Sequence, residues 1–230
     1  MEKFEDQSLE PNHLVYFEKE ALMEMERHVW EILLQLKESI QKGEVGTVIG
    51  IDGSGRLPAL LISKIIKRAY KKLGHQSIQT RFFRGGIFLD KKALDIQLKK
   101  YPLDVRRTIL IVDDTIMTGG SIRTLTRNLR KRGYKAKVAV QAKDGEYSEE
   151  LNAEFGHIIY ADNKVPAIYG RESLTGVSKN RTDAIHAHPT RRDYSGSMRT
   201  SRIQKMIATR TFINEAVDRI LEKIGLDSEK

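Results

Sequence analysis

The sequence predicts an α/β fold with a five-stranded, mainly parallel sheet flanked by helices. Between residues 45 and 162, short apolar runs alternate with stretches whose apolar residues recur at helical spacing. Such alternation of strand and helix favours a parallel sheet joined by right-handed crossovers. Two of the apolar runs also lead directly into a glycine-containing turn and then a helix. Strands are predicted near residues 46–52, 76–82, 107–113, 135–141 and 157–161.

Helical patterns also lie on both sides of this core. Residues 13–42 carry an apolar stripe at helical spacing, as one helix or as two, and Gly43 marks its end. Residues 199–224 carry a second stripe. We therefore divide the chain into an N-terminal tail and helix (1–44), an α/β core (45–162), and a long loop with a C-terminal helix packed on the core (163–230).

Composition limits the classes of function. The 230 residues include no cysteine, which excludes disulfides, thiolate catalysis and cysteine-bound metals and suits a cytoplasmic protein. No apolar run approaches the roughly 18 residues of a membrane span, and the acidic N-terminus shows no signal peptide, so we expect no membrane partner. The formal net charge of +9 favours anionic partners such as nucleotides, pyrophosphate or nucleic acid. Between Lys179 and Arg210 basic residues are dense, as a solvated surface or as an anion-binding patch.

The most informative motif runs from Thr108 to Ser121, where a strand leads into two acids and a glycine-rich turn. Its apolar residues 109–112 are typical of a strand buried on both faces of a parallel sheet. In such sheets ligands bind at the carboxyl ends of the strands, and we expect Asp113 and Asp114 to fall at that end. Carboxylates there can hold sugar hydroxyls.

The turn after the acids suits a phosphate group. Gly119 and Gly120 let a ligand approach the backbone, and Thr118 or Ser121 is expected to cap the following helix, whose first N–H groups can bind an anion. Two other interpretations are weaker. Phospho-receiver domains carry an acid pair after their first strand, whereas this pair follows the third. A plain structural turn gives no reason for two mutually repelling carboxylates to be adjacent.

A second strand–turn–helix unit runs from Val48 to Ala59. Its turn, residues 52–56, is not a dinucleotide-binding fingerprint, because Pro58 stands where the third glycine belongs. Pro58 does suit the first turn of a helix. Arg56 in this turn either binds a doubly charged anion or is simply exposed.

At Ile109–Ser121 the sequence resembles the type I phosphoribosyltransferase family, whose fingerprint is an apolar strand, two acids, two variable residues and a short Thr/Gly loop. The resemblance covers residues 45–162. It implies that Asp113 and Asp114 are catalytic and hold the ribose hydroxyls of 5-phosphoribosyl-1-pyrophosphate (PRPP). The implied 5′-phosphate loop consists of Thr115, Ile116, Met117, Thr118, Gly119, Gly120 and Ser121. The implied pyrophosphate site consists of Asp52, Gly53, Ser54, Gly55 and Arg56.

The resemblance implies further parts of the site. A mobile loop between the second and third strands would cover it, with Arg84, Lys91 and Lys92 as basic residues of that loop. The other interpretation of this segment is a plain connection with one surface helix. A hood-like segment after residue 162 would bind the accepting base. Met117 stands where some 6-oxopurine transferases have a proton-accepting acid, which argues against a guanine- or hypoxanthine-type enzyme.

The sequence thus predicts a phosphoribosyltransferase that uses PRPP and Mg²⁺, transfers phosphoribose to a nucleobase-like acceptor and releases pyrophosphate. Mg²⁺ would be held mainly by pyrophosphate and ribose oxygens, with Asp113 and Asp114 contributing indirectly through ribose hydroxyls or water. The family also suggests a homodimer. Two alternatives stay open: a PRPP-sensing regulator on the same fold that binds nucleic acid, and a protein that uses the ribose-phosphate pocket for other chemistry. The sequence does not identify the acceptor.

Overall fold

The computed structural model describes residues 12–51, 55–83, 90–116, 119–143, 158–162 and 196–226. Within these ranges a five-stranded sheet is interleaved with helices and flanked by a helix at each end. In chain order the elements are α1 (Asn12–Gln41), β1 (Val45–Ile51), α2 (Arg56–Leu73), β2 (Gln79–Phe83), α3 (Lys91–Lys100), β3 (Thr108–Ile116), α4 (Gly120–Arg130), β4 (Ala136–Lys143), β5 (Ile158–Asp162) and α5 (Gly196–Ile224).

The strands lie in the order β2-β1-β3-β4-β5, and every neighbouring pair is parallel, which confirms the predicted fold class. Strand order reverses between β1 and β3. After β1 the chain crosses to β2 on one side, and after β3 it crosses to β4 on the other. Parallel sheets form a ligand crevice at such a reversal, outside the carboxyl ends of the two strands. Both glycine-containing turns leave the sheet at this place.

Two apolar layers cover the two faces of the sheet. One packs α1, α2 and α5 against a face that includes Leu110 and Val112. The other packs α3 and α4 against a face that includes Ile109 and Ile111. Because neighbouring side chains of a strand point to opposite faces, the four-residue apolar run of β3 is divided between both layers. The prediction that this strand is buried on both faces is therefore confirmed.

The outer helices are regular. α1 is one continuous helix, and from Leu22 to Ile40 its apolar stripe is buried in the first layer, together with the C-terminal half of α5. In the described ranges, no helix is long and apolar enough to cross a membrane. The boundary drawn at residue 162 between core and C-terminal part stays a prediction.

β3 is longer than predicted. It runs to Ile116, beyond the expected end at residue 113. Its pairing with β1 ends at Gly50–Val112, whereas residues 113–116 continue to pair with β4. Pairing along one side keeps these residues extended, although aspartate is depleted in strands. The acids therefore lie within β3, beside the end of β1, rather than at the end of their own strand.

A buried ion pair joins α5 to α1. Arg219 donates from Nε to Glu26 Oε1 at 2.9 Å and from Nη2 to Glu26 Oε2 at 2.7 Å. Glu26 is only 8% exposed, so its carboxylate depends on this partner for compensation. The hydrogen bond that Arg219 donates to Glu26 raises the pKa of Arg219. The pair fixes the C-terminal helix against the helix that precedes the sheet.

Replacing Arg219 with methionine should leave the Glu26 carboxylate buried without its cation. We expect the free energy of unfolding to fall by about 1–2 kcal/mol, less than for a fully buried pair, because 42% of the Arg219 side chain is exposed. Urea denaturation followed by circular dichroism measures the change. The control is Lys42→Met, which removes an exposed pair with Glu38 and should leave the midpoint unchanged. Equal midpoints for both variants would contradict the role given to Arg219.

Candidate active site at the reversal of strand order

The first turn closes tightly on the end of β1. The Gly55 N–H donates to the carbonyl of Ile51 at 3.0 Å, and the Gly55 carbonyl accepts from the N–H of Ala59 at 3.2 Å. Helix α2 therefore begins immediately beside the end of β1. The predicted pyrophosphate residues Asp52, Gly53 and Ser54 lie outside the described residues, while Gly55 and Arg56 lie within them.

Gly55 also contacts β3. A Cβ atom built on it would lie 2.6 Å from the carbonyl oxygen of Ile51, 2.8 Å from that of Val112 and 3.0 Å from Asp113 Oδ1. The φ of Gly55 is −70°, so glycine is required here for space rather than for an unusual backbone conformation. Gly55 and Asp113 are thus held in direct contact, because β1 and β3 are neighbours in the sheet.

The two acids are half-buried on β3. The Asp114 N–H donates to Asp113 Oδ1 at 2.9 Å, which fixes the first carboxylate against its own backbone. Ionised carboxylates only accept hydrogen bonds, so both suit the hydroxyl groups of a ligand lying across the end of β1.

Arg56 is the first residue of α2 and is half-buried. Its guanidinium carbon lies 5.8 Å from the ring centre of Phe82 on β2, a cation–π contact. Phe82 pairs with Gly50 of β1, and this register brings the ring under the arginine. The contact was absent from the sequence-based prediction, because it depends on the register between two strands. The contact with Phe82 holds the positive charge of Arg56 at the N-terminus of α2. The helix dipole also favours a bound anion at that place.

A second helix begins at the same edge of the sheet. Gly119, with φ of 67°, precedes α4 as its N-cap, and no side chain caps the helix. The prediction of a cap by Ser121 is wrong, because Ser121 already lies in the first turn; Thr118 is outside the described residues. A left-handed glycine turns the chain into the helix instead.

The start of α4 is suited to an anion. The N–H of Arg123 is the first to bond within the helix, to the carbonyl of Gly119 at 2.7 Å, so the amides of residues 120–122 precede it. The first turn contains no acidic residue. N–H groups and the helix dipole together favour negative charge at such a position.

The other predicted site residues are spread more widely. Thr115 and Ile116 lie in β3, where Ile116 is buried in the second apolar layer, and Met117 is outside the described residues. Arg84 is also outside them. Lys91 and Lys92 are exposed and begin α3, whose N-cap Asp90 accepts from the N–H of Lys92 at 2.8 Å. These two lysines therefore belong to a helix rather than to an irregular loop.

α3 is anchored to the sheet. Leu94 and Leu98 are buried in the second layer, and Asp95 accepts two hydrogen bonds from Arg132, at 2.8 and 2.6 Å. The hood-like segment falls outside the described residues up to residue 195, as does most of the basic stretch that begins at Lys179.

Comparison with known proteins agrees with this geometry. A family model for the phosphoribosyl transferase domain matches residues 18–165, which is more than half of the chain. The chain therefore belongs to the phosphoribosyltransferase family, and it is an enzyme of PRPP-dependent phosphoribosyl transfer.

Solved structures with a similar fold include two transferases. One is an orotate phosphoribosyltransferase from Aeropyrum pernix, with 18% identity and a TM-score of 0.37, covering 58% of this chain and 68% of that one. The other is a purine phosphoribosyltransferase from Pyrococcus horikoshii, with 16% identity and a TM-score of 0.33, covering 57% of this chain and 76% of that one. A search of curated proteins finds no match.

Gly55→Ala tests the contact between turn and acids. The added methyl group must push the turn away from Val112 and Asp113, and a misplacement of about 1 Å costs about 100-fold in catalysis. We expect PRPP turnover to fall by about that factor. The control is Gly74→Ala, at φ of 73° with nothing within 4 Å of the new methyl group. It should lower stability by about 1–2 kcal/mol and leave turnover unchanged. Similar turnover in the two variants would contradict the steric argument.

Proposed function

We propose that this enzyme transfers phosphoribose from PRPP to a ring nitrogen of a nucleobase-like acceptor and releases pyrophosphate, with Mg²⁺ bound at the pyrophosphate. One observation carries the proposal. At the reversal of strand order, two helix N-termini and an arginine flank a pair of carboxylates. PRPP has the complementary pattern, with phosphate groups at both ends and two hydroxyls between them.

Each part of PRPP has a matching group in this arrangement. The start of α4 would receive the 5′-phosphate through its first amides. Asp113 and Asp114 would accept the ribose hydroxyls. The turn before α2 would receive the pyrophosphate, with Arg56 supplying positive charge. The contact of Gly55 with Asp113 supports this assignment, because it brings the pyrophosphate turn next to the ribose site.

The reaction exchanges one bond at C1 of the ribose for another. The bond from C1 to the pyrophosphate oxygen breaks, its electron pair leaves with pyrophosphate, and the acceptor nitrogen forms the new bond from the opposite face. Positive charge develops on the sugar as the bond breaks. The two carboxylates lie on the ribose side and would stabilise that charge, while Arg56 would stabilise the departing anion. Holding both reactants in place supplies much of the remaining rate gain.

The residues present fit Mg²⁺ bound through the substrate. Within the described ranges, no three His, Cys, Asp or Glu side chains come together as a metal site. Mg²⁺ usually keeps several waters and binds substrate phosphates, so pyrophosphate and ribose oxygens would hold it here, with Asp113 and Asp114 contributing indirectly through ribose hydroxyls or water. Bound Mg²⁺ would neutralise charge on the pyrophosphate and make it a better leaving group.

The acceptor is proposed only as a class, a nitrogen heterocycle of nucleobase type. Met117 argues against a 6-oxopurine acceptor, because it stands where some 6-oxopurine transferases have a proton-accepting acid. A homodimer is the expected assembly from the family resemblance, and a cytoplasmic location is expected from the absence of cysteine.

The double variant Asp113→Asn, Asp114→Asn tests the acid pair. Neutral amides cannot stabilise a cationic sugar, so we expect PRPP turnover to be abolished while the melting temperature without ligand stays near that of the wild type. Isotope exchange between PRPP and pyrophosphate, with a panel of candidate bases, measures turnover. The control is Glu215→Gln, Glu222→Gln, which removes the same charge from the exposed face of α5. Normal exchange by the Asn variant would refute the assignment.

Removal of Mg²⁺ tests the metal. PRPP at about 100 times its dissociation constant should stabilise the protein by about 2.7 kcal/mol, seen as a rise in melting temperature. We expect EDTA to abolish that rise and added Mg²⁺ to restore it, with no effect of either on the protein alone, because the metal binds with the substrate. Equal stabilisation by PRPP in EDTA would contradict the metal's role.

A further inference from the structure

The outer face of α2 carries a cationic surface that the proposed reaction does not use. An open cavity of about 590 Å³ lies there. Its lining consists of Lys64, Lys67, Arg68, Lys71 and Lys72, which we call the α2 basic face. These residues follow one another at helical spacing and span about 12 Å along the helix at about 1.5 Å per residue. The opposite side of α2 is buried against the sheet.

Neighbouring elements hold this surface in place. Lys64 Nζ donates to Asn214 Oδ1 on α5 at 2.7 Å, and Arg68 forms an ion pair with Asp218 on the same helix. The α5 helix thus borders one side of the surface. Arg81 of β2 adds a further cation near Lys67.

The charge on this surface is poorly compensated at its centre. Burial, and then the charges of Arg81 and Lys64, lower the pKa of Lys67. Among the residues that the structure describes, the two charged groups that lower the pKa of Lys67 are therefore both cations. A bound anion would relieve that repulsion.

Two simpler explanations of the α2 basic face account for only some of its features. Lysines in the last turn of a helix stabilise its dipole, which explains Lys71 and Lys72 but not Lys64 and Lys67, which lie further from the end. Pockets for small ligands are mostly enclosed, whereas this cavity is open and is formed by five lysine and arginine side chains. Lysine side chains in an open row suit successive phosphates of a chain rather than one small molecule.

We propose that the α2 basic face binds the sugar–phosphate backbone of a nucleic acid without sequence preference. The binding is electrostatic, so releasing counterions makes its affinity depend steeply on salt. It is independent of the proposed reaction, because none of its residues belongs to the candidate active site.

Fluorescence anisotropy with a labelled single-stranded RNA of about 20 nucleotides, between about 50 and 200 mM NaCl, tests the proposal. Phosphate contacts by the four lysines, with Arg68 left paired to Asp218, predict a slope of about −2.8 for log affinity against log salt. The variant Lys67→Gln, Lys71→Gln should reduce the magnitude of the slope by about 1.4 and weaken binding by about tenfold at the lower salt. The matched control is Lys131→Gln, Lys135→Gln, which removes the same charge from exposed positions at and after the end of α4.

The proposal is supported only if the α2 variant loses RNA affinity, the control variant does not, and PRPP turnover of the α2 variant is unchanged. Absence of RNA binding at the lower salt overturns it. Equal weakening by both double variants overturns it as well, since binding would then reflect net charge alone. A polyglutamate peptide that binds the face while RNA does not would show an acidic protein segment as the partner and would also overturn it.

Discussion

The site depends on how closely the backbone of one turn approaches the ends of two strands. Gly55 fits against the carbonyl groups of Ile51 and Val112 and the carboxylate of Asp113 only because it has no side chain. Gly50 acts in the same way near the end of β1, where an added Cβ would lie 2.8 Å from that of Ala59. The two glycines together set how close α2 sits to the sheet. The position of Arg56 relative to the acid pair follows from that distance.

Much of the fold follows from residue patterns that can be recognised in the sequence. The apolar run 109–112 indicates a strand buried on both faces, and its division between two layers follows from alternation alone. The position at which β3 ends was not predicted, because residues 113–116 stay extended through pairing with β4. This tertiary effect overrides their low strand propensity. The cap of α4 was also missed. Ser121 has a good capping side chain, but the left-handed conformation of Gly119 removes the need for one.

The placement of both motifs on strands of one parallel sheet could be predicted, because ligands of such sheets bind at the carboxyl ends of the strands. Contacts that depend on register or on packing between distant elements could not. The stacking of Arg56 on Phe82 requires the register of β1 against β2. In the sequence alone, the lysines of α2 look like an ordinary solvated face, because the cavity that they line and the contact of Lys64 with α5 exist only in the folded chain. The roles given to residues 52–54 and 117–118 stay predictions, since these residues lie outside the described ranges.

The packing of α5 on α1 bears on how the chain acquires its structure during synthesis. Glu26 and Arg219 are 193 positions apart, so α1 gains this partner only after α5 has been synthesised. Closing so long a stretch of chain costs entropy before any contact compensates for it. Until the residues around Ile220 emerge, the apolar stripe of α1 is only partly covered by α2 and the sheet. A nascent chain without α5 therefore exposes more of this stripe than the finished chain does, and exposed apolar surface of this kind favours aggregation and chaperone binding.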